Sequence, residues 1–215
     1  MICKKKSLDQ KSGLKYLIYF PDNYYSTYEE YPLVLFLHGA GERGNDLNLV
    51  KKHGIPKRIH DGAKFPFITV APQCPDGIWW SNMKTLGFLE KIILELISDL
   101  RIAKNKIYGT GMSMGGYGIL DLASTYPNLF TALIPICGGT ILNKLHKLSK
   151  IPVWIFHGED DDVIPVESST LIYKYLKKNN KDTLITIYNN VAHDSWTETY
   201  DNEKIYDWML KFKKL

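Results

Sequence analysis

A chain of 215 residues, 45% of them hydrophobic, is enough to bury a substantial core within one domain. Its net charge of +4 comes from dispersed lysine pairs, which argues against a nucleic-acid surface, and no apolar run is long enough to suggest a membrane span. Three cysteines at positions 3, 74 and 137, with no C-x-x-C spacing, fit neither a disulfide framework nor a cysteine-ligated zinc site.

In chain order, Met1 to Ser7 is basic, and its lysines read as a solvated terminus with no apolar segment behind them to make a leader. A cytoplasmic protein is the expectation. Residues 14–20 read as a strand, and the tyrosine-rich piece up to Tyr31 as a loop. The continuous apolar run 33–37 has the mark of a strand buried on both faces, and 65–71 is a second. Between 72 and 82 lies a loop carrying Trp79 and Trp80. Leu86, Leu89, Ile93, Leu96 and Leu100 recur at steps of three and four, which predicts an amphipathic helix. Strands follow at 105–110, 133–137, 153–157 and 184–188. Helices are expected at 117–126 and 165–177, and a closing helix on Ile205, Trp208, Met209 and Phe212. Cys137, ending an apolar run, reads as a buried free thiol. Alternating buried strands and helices imply an α/β chain: a mostly parallel sheet of about seven to eight strands, covered on both faces, in a single domain spanning 1–215.

The stretch on which function turns is Gly111-Met112-Ser113-Met114-Gly115-Gly116, between an expected strand and an expected helix. That is the context in which G-x-S-x-G forms a nucleophile elbow. So tight a turn forces its serine into a sparsely populated backbone conformation, and Gly111 and Gly115 become steric requirements. Ser113 also lies at the positive end of the following helix, where developing negative charge is favoured.

A serine hydroxyl needs a positioned base, usually histidine, oriented by a carboxylate. With a Ser, acid, His chain order, five of the six histidines are excluded. His38, His53 and His60 precede the serine, and His146 and His157 precede the acidic cluster Glu159-Asp160-Asp161-Asp162. His193, in a loop after the last strand, remains as the base. One carboxylate of the cluster is expected to orient it, and spacing alone leaves open which. The cluster lacks the D-x-[DN]-x-[DN]-G pattern of a calcium loop, so no metal is expected. An oxyanion hole requires two backbone N–H groups. Met114, following the nucleophile, should supply one, and the loop after 33–37 the other, through Ala40 or, second, Gly41.

Gly39-Ala40-Gly41-Glu42-Arg43-Gly44 also matches G-x-G-x-x-G after a strand, with Asp61 downstream, so a dinucleotide-binding oxidoreductase is a competing reading. It is disfavoured because 45–60 contains Gly54 and Pro56 with little periodicity, and because Glu42 would set a carboxylate beside a pyrophosphate. A non-catalytic binding protein on the same fold is a further alternative, disfavoured by the intact set of serine, acid and histidine.

Five segments together resemble the carboxylesterase–phospholipase and predicted-peptidase branch of the α/β-hydrolase superfamily: LHGAGERG at 37–44, GMSMGGYG at 111–118, IPICGG at 134–139, FHGE at 156–159 and HDSW at 193–196. The resemblance implies an α/β-hydrolase fold, hydrolysis of esters and no cofactor. In that frame the acid is the fifth residue of His-Gly-x-x-Asp-x-x-x-Pro, which is Asp161 here, with His157, Gly158 and Pro165 matching. Ser113, Asp161 and His193 would then form the triad. Relatives also include peptidase-type and thioesterase acyl hydrolases. The loop 138–150 is too short for a cap domain, so short acyl esters of a small-molecule substrate are expected, acylated sugars among them. Trp79, Trp80 and Trp196, each expected in a loop, are the candidates for substrate-binding walls.

Overall fold

The run 33–37 is buried throughout because its side chains alternate between two cores. A computed structural model describes residues 1–8 and 14–214 and places the run in strand β3 (Tyr31–Leu37). Leu33, Leu35 and Leu37 join one apolar cluster, and Val34 and Phe36 the other. The remaining strands are β1 (Ile2–Ser7), β2 (Lys15–Phe20), β4 (Ile68–Pro72), β5 (Ile102–Met112), β6 (Ala132–Ile136), β7 (Trp154–Gly158) and β8 (Leu184–Tyr188). They form one eight-stranded sheet in the order β1-β2-β4-β3-β5-β6-β7-β8. β1 and β2 run antiparallel to their neighbours, and every pairing from β4 to β8 is parallel. This agrees with the mostly parallel sheet of seven to eight strands expected from the sequence.

Among the described residues, three helices cover each face. On the first lie α2 (Met83–Asp99), α3 (Met114–Thr125) and α4 (Glu167–Lys177), contributing Leu86, Leu89, Ile93, Ile119, Leu122, Ile172 and Leu176. The other carries α1 (Gly54–His60), α5 (Trp196–Asp201) and α6 (Lys204–Leu210), with Ile55, Tyr200, Ile205, Tyr206 and Met209. α2 begins where the sequence allows, because the Asn82 side chain accepts from the backbone N–H of Lys84 and Thr85.

Three elements depart from the sequence expectation. The basic N-terminus is an edge strand, paired along its length with β2, whose exposed lysines discourage pairing with another chain. The segment around Gly54 and Pro56 forms the short helix α1, and its Ile55 is buried in the second core. Trp196 opens α5 and is not a loop residue. The connection from β6 to β7 carries only a 3-10 segment, Leu142–Leu148, whose Leu145 and Leu148 sink into the first core. No sizeable cap grows from it.

Between β5 and α3 the backbone passes so close to β3 that side chains are excluded. A Cβ on Gly115 would lie 2.0 Å from the Leu37 carbonyl oxygen, and one on Gly111 2.4 Å from that of Gly115. Gly41, in the loop after β3, has nothing within 4 Å of such a Cβ. Gly115→Ala should therefore lower the unfolding free energy by about 3 kcal/mol or more, while Gly41→Ala should stay within about 0.5 kcal/mol. Denaturant titration of both variants checks this, and equal midpoints would contradict it.

Candidate active site

The parallel strands β3, β5, β7 and β8 all end at one edge of the sheet, and each feeds a loop carrying one candidate group. β5 leads directly into Ser113, whose φ of 53° and ψ of −119° put it in the strained region expected of the elbow. Its N–H donates to the Ile136 carbonyl at 2.9 Å, which fixes the turn against β6.

The loops after β7 and β8 are laced together. Glu159 N–H donates to the Tyr188 carbonyl at 2.9 Å, and Asp160 N–H to that of Val191 at 3.0 Å. This brings Asp161 and His193 side by side. His193 Nδ1 lies 2.7 Å from Asp161 Oδ2, and its Nε2 lies 2.9 Å from Ser113 Oγ. With a carboxylate beside it, Nδ1 carries the proton, and Nε2 is left to accept from the hydroxyl. Asp161 Oδ1 accepts from the N–H groups of Val163 and Ile164 at 2.9 and 2.8 Å. Burial alone would raise this carboxyl, but the bonds from His193, Ile164 and Val163 outweigh it and hold it below its ordinary value of 3.8.

Ala40 and Met114 each open a helical segment, a 3-10 turn at Ala40–Glu42 and α3 respectively. The first N–H groups of such segments have no partner inside them. The loop bearing Ala40 is held from below by His38. That ring is fully buried, accepts from Cys74 N–H at 2.9 Å through Nε2, and contacts the Gly39 carbonyl at 2.6 Å through Nδ1. Burial pushes it down to about 4, so it stays neutral. Arg43 Nε donates to the Ala40 carbonyl at 2.9 Å.

A cleft of about 350 Å³ opens over Ser113, walled by Ala40, Gly41, His53, Val163, His193 and Trp196. The Trp196 ring meets the His193 and His53 rings edge-on, with centroids 5.2 and 5.7 Å away. The other two tryptophans sit elsewhere. Trp80 is fully buried, its indole N–H donating to the His38 carbonyl at 3.0 Å, so it braces the loop from within the core and is no substrate wall. Trp79 is about half exposed, and the Arg43 guanidinium lies over its ring. His53, excluded as the base by chain order, and Val163 line the cleft at places the sequence does not point to. His53 sits in a segment without periodicity, and Val163 follows an acidic run, so neither carried a signal. Cys137 Sγ lies within 4.8 Å of ligand atoms of Asp161 and His193. Burial pushes this thiol up to about 12, so it stands protonated at neutral pH.

The phospholipase/carboxylesterase family model matches residues 80–207. The chain belongs to that family of α/β-hydrolases. A probable feruloyl esterase C of Aspergillus terreus is 26% identical over 174 residues, covering 79% of this chain and 63% of that protein. Acyl-protein thioesterase 1 of Gibberella zeae is 23% identical over 207 residues, covering 80% of this chain and 88% of its own. Among solved structures, a thermostable esterase superposes with a TM-score of 0.85 at 33% identity, over 99% of this chain and 63% of that one. The chain thus spans a little under two thirds of the length of the feruloyl esterases it matches. Among the described residues, no helix is long and apolar enough to cross a membrane.

Because the folded Asp161 carboxyl lies below 3.8, its ionised form contributes stability that is present above that value and is lost as pH falls through the lower folded value. Asp161→Asn should therefore show a flatter decline of unfolding free energy below about pH 4 than the parent. Urea titrations at stepped acid pH measure the two slopes, and parallel slopes would contradict the assignment.

Proposed function

We propose that this single domain is a serine carboxylesterase in which Ser113 is the nucleophile, His193 the general base and acid, and Asp161 the residue that orients His193. The observation that carries the reading is the unbroken chain from Ser113 Oγ through both nitrogens of His193 to Asp161, standing on a strained elbow. His193 Nε2 takes the hydroxyl proton as Oγ attacks the ester carbonyl. The N–H groups of Ala40 and Met114 hold the tetrahedral oxyanion, and the end of α3 adds its positive potential. His193 then protonates the leaving alkoxide. Water, deprotonated in turn by His193, attacks the acyl-enzyme, releases the acid and restores Ser113. No step calls for a metal or a redox cofactor.

The cleft is small and uncapped. It offers little apolar surface to bury a long chain at about 0.8 kcal/mol per methylene, so acetyl to butyryl groups are favoured. It leaves room for a bulky alcohol such as a sugar. Amides should turn over weakly, since an amine leaves poorly and the cleft has no element that clamps a peptide. An aromatic acyl group is the second reading, favoured by the Trp196 ring beside His193 and by feruloyl esterases among the relatives. The thioesterase relative points to thioesters as a further substrate for the same machinery.

A p-nitrophenyl series from acetate to palmitate, run beside methyl ferulate, an acetylated sugar and a peptide amide, tests the substrate range. Rates should peak by butyrate, and a rate rising through octanoate or peptide turnover matching the esters would overturn it. Ser113→Ala should abolish turnover while the protein keeps its fold. Asp161→Asn should cost about 10³–10⁴ in kcat, and Asp160→Asn and Asp162→Asn far less. A larger loss at Asp162 would reassign the acid.

A further inference from the structure

A second histidine stands against the carboxylate of Asp161. His157, the penultimate residue of β7, is fully buried. Its Nδ1 lies 2.6 Å from Ser169 Oγ on α4, and its Nε2 lies 2.8 Å from the Ile164 carbonyl. The same Nε2 is 3.1 Å from Asp161 Oδ2, the oxygen that meets His193. Both groups facing Nε2 are acceptors, so that nitrogen carries a proton, and Nδ1 accepts from the Ser169 hydroxyl. The tautomer is set by its partners.

A closed circuit results. Ile164 N–H donates to Asp161 Oδ1, the Ile164 carbonyl accepts from His157, and His157 lies against Asp161 Oδ2. We propose that His157 is a positioning residue for the reaction assigned above: it holds the Asp161–Ile164 turn to β7 and turns Asp161 Oδ2 toward His193 Nδ1. The inference rests on that catalytic reading. A buried histidine that merely satisfies its neighbours would support the fold and leave chemistry alone. This one shares an oxygen with the proposed base. Its N–H dipole offsets part of the negative charge that would otherwise favour a proton on the Asp161–His193 pair. Among the described residues, the charged group facing His157 is Asp161, from the turn that follows its own strand. Ser169 faces it from α4 and is neutral, and His193 stands beyond the carboxylate.

The test compares His157→Leu with His157→Gln, whose side-chain amide can present an N–H near the position of Nε2. His157→Leu should lose about 10- to 100-fold in kcat with KM within about twofold. The acid limb of its kcat/KM profile should move to higher pH, because the pair now binds a proton more tightly. His157→Gln should recover most of the loss and return the limb toward the parent. A kcat within twofold of the parent in a folded His157→Leu, or two variants falling alike with the limb unmoved, overturns the proposal. Should His157→Leu fail to fold, His157→Asn, whose shorter amide overlays Nδ1 beside Ser169 and leaves the place of Nε2 against Asp161 Oδ2 empty, reads the same quantities, and an unmoved kcat and limb there overturns it as well. Ser113→Ala runs alongside on p-nitrophenyl butyrate. Activity surviving in that variant refutes the catalytic reading itself, whereas loss there with normal His157 variants refutes only the role of His157.

Discussion

The rest of the structure depends on the close approach of the turn after β5 to the end of β3. With the Leu37 carbonyl where a Cβ of Gly115 would sit, α3 can start only if the backbone itself fills the gap. Ser113 absorbs the geometry with a positive φ, which costs on the order of 1–3 kcal/mol for a non-glycine residue. What holds it there is burial on both sides of the sheet: Ile119 and Leu122 of α3 lie in one core, and Met112 in the other. Two close-packed cores that would both have to shift make the strained turn rigid. Strain in the backbone thus becomes exposure of one hydroxyl at the start of a helix.

Asp161 shows a second balance. Taking a carboxylate out of water disfavours its charge, and here the backbone N–H groups of its own turn and the imidazole of His193 more than compensate. The balance holds only while the loops after β7 and β8 stay laced through Tyr188 and Val191. Folding and site electrostatics are therefore one problem at this edge of the sheet, and His157 lies at the junction between them.

Much of this was legible in the sequence, for identifiable reasons. Runs such as 33–37 and 153–157 are continuous in apolar residues because parallel strands are covered on both faces. The elbow is legible because steric exclusion demands glycine at fixed offsets from the serine. His193 followed from chain order, whereas Asp161 needed a family frame, since four consecutive acids look alike until a turn chooses one. Other features leave no local trace. β1 is a run of exposed lysines, and only its partner β2 makes it a strand. α1 is a short helix against local propensity, anchored by Ile55, and α5 is too short to show periodicity. Trp79 and Trp80 are neighbours, yet one is exposed and the other fully buried, because the chain turns between them and the indole of Trp80 finds the His38 carbonyl.

On this reading the elbow hydroxyl of Ser113, and no other group, is the activated nucleophile. Mass spectrometric mapping of the protein after reaction with a fluorophosphonate tests it most directly. A single phosphonyl adduct is expected on the peptide containing Ser113, formed at the rate at which esterase activity disappears and absent when His193 is replaced by alanine. An adduct at another residue, or full inactivation with Ser113 unmodified, would contradict it.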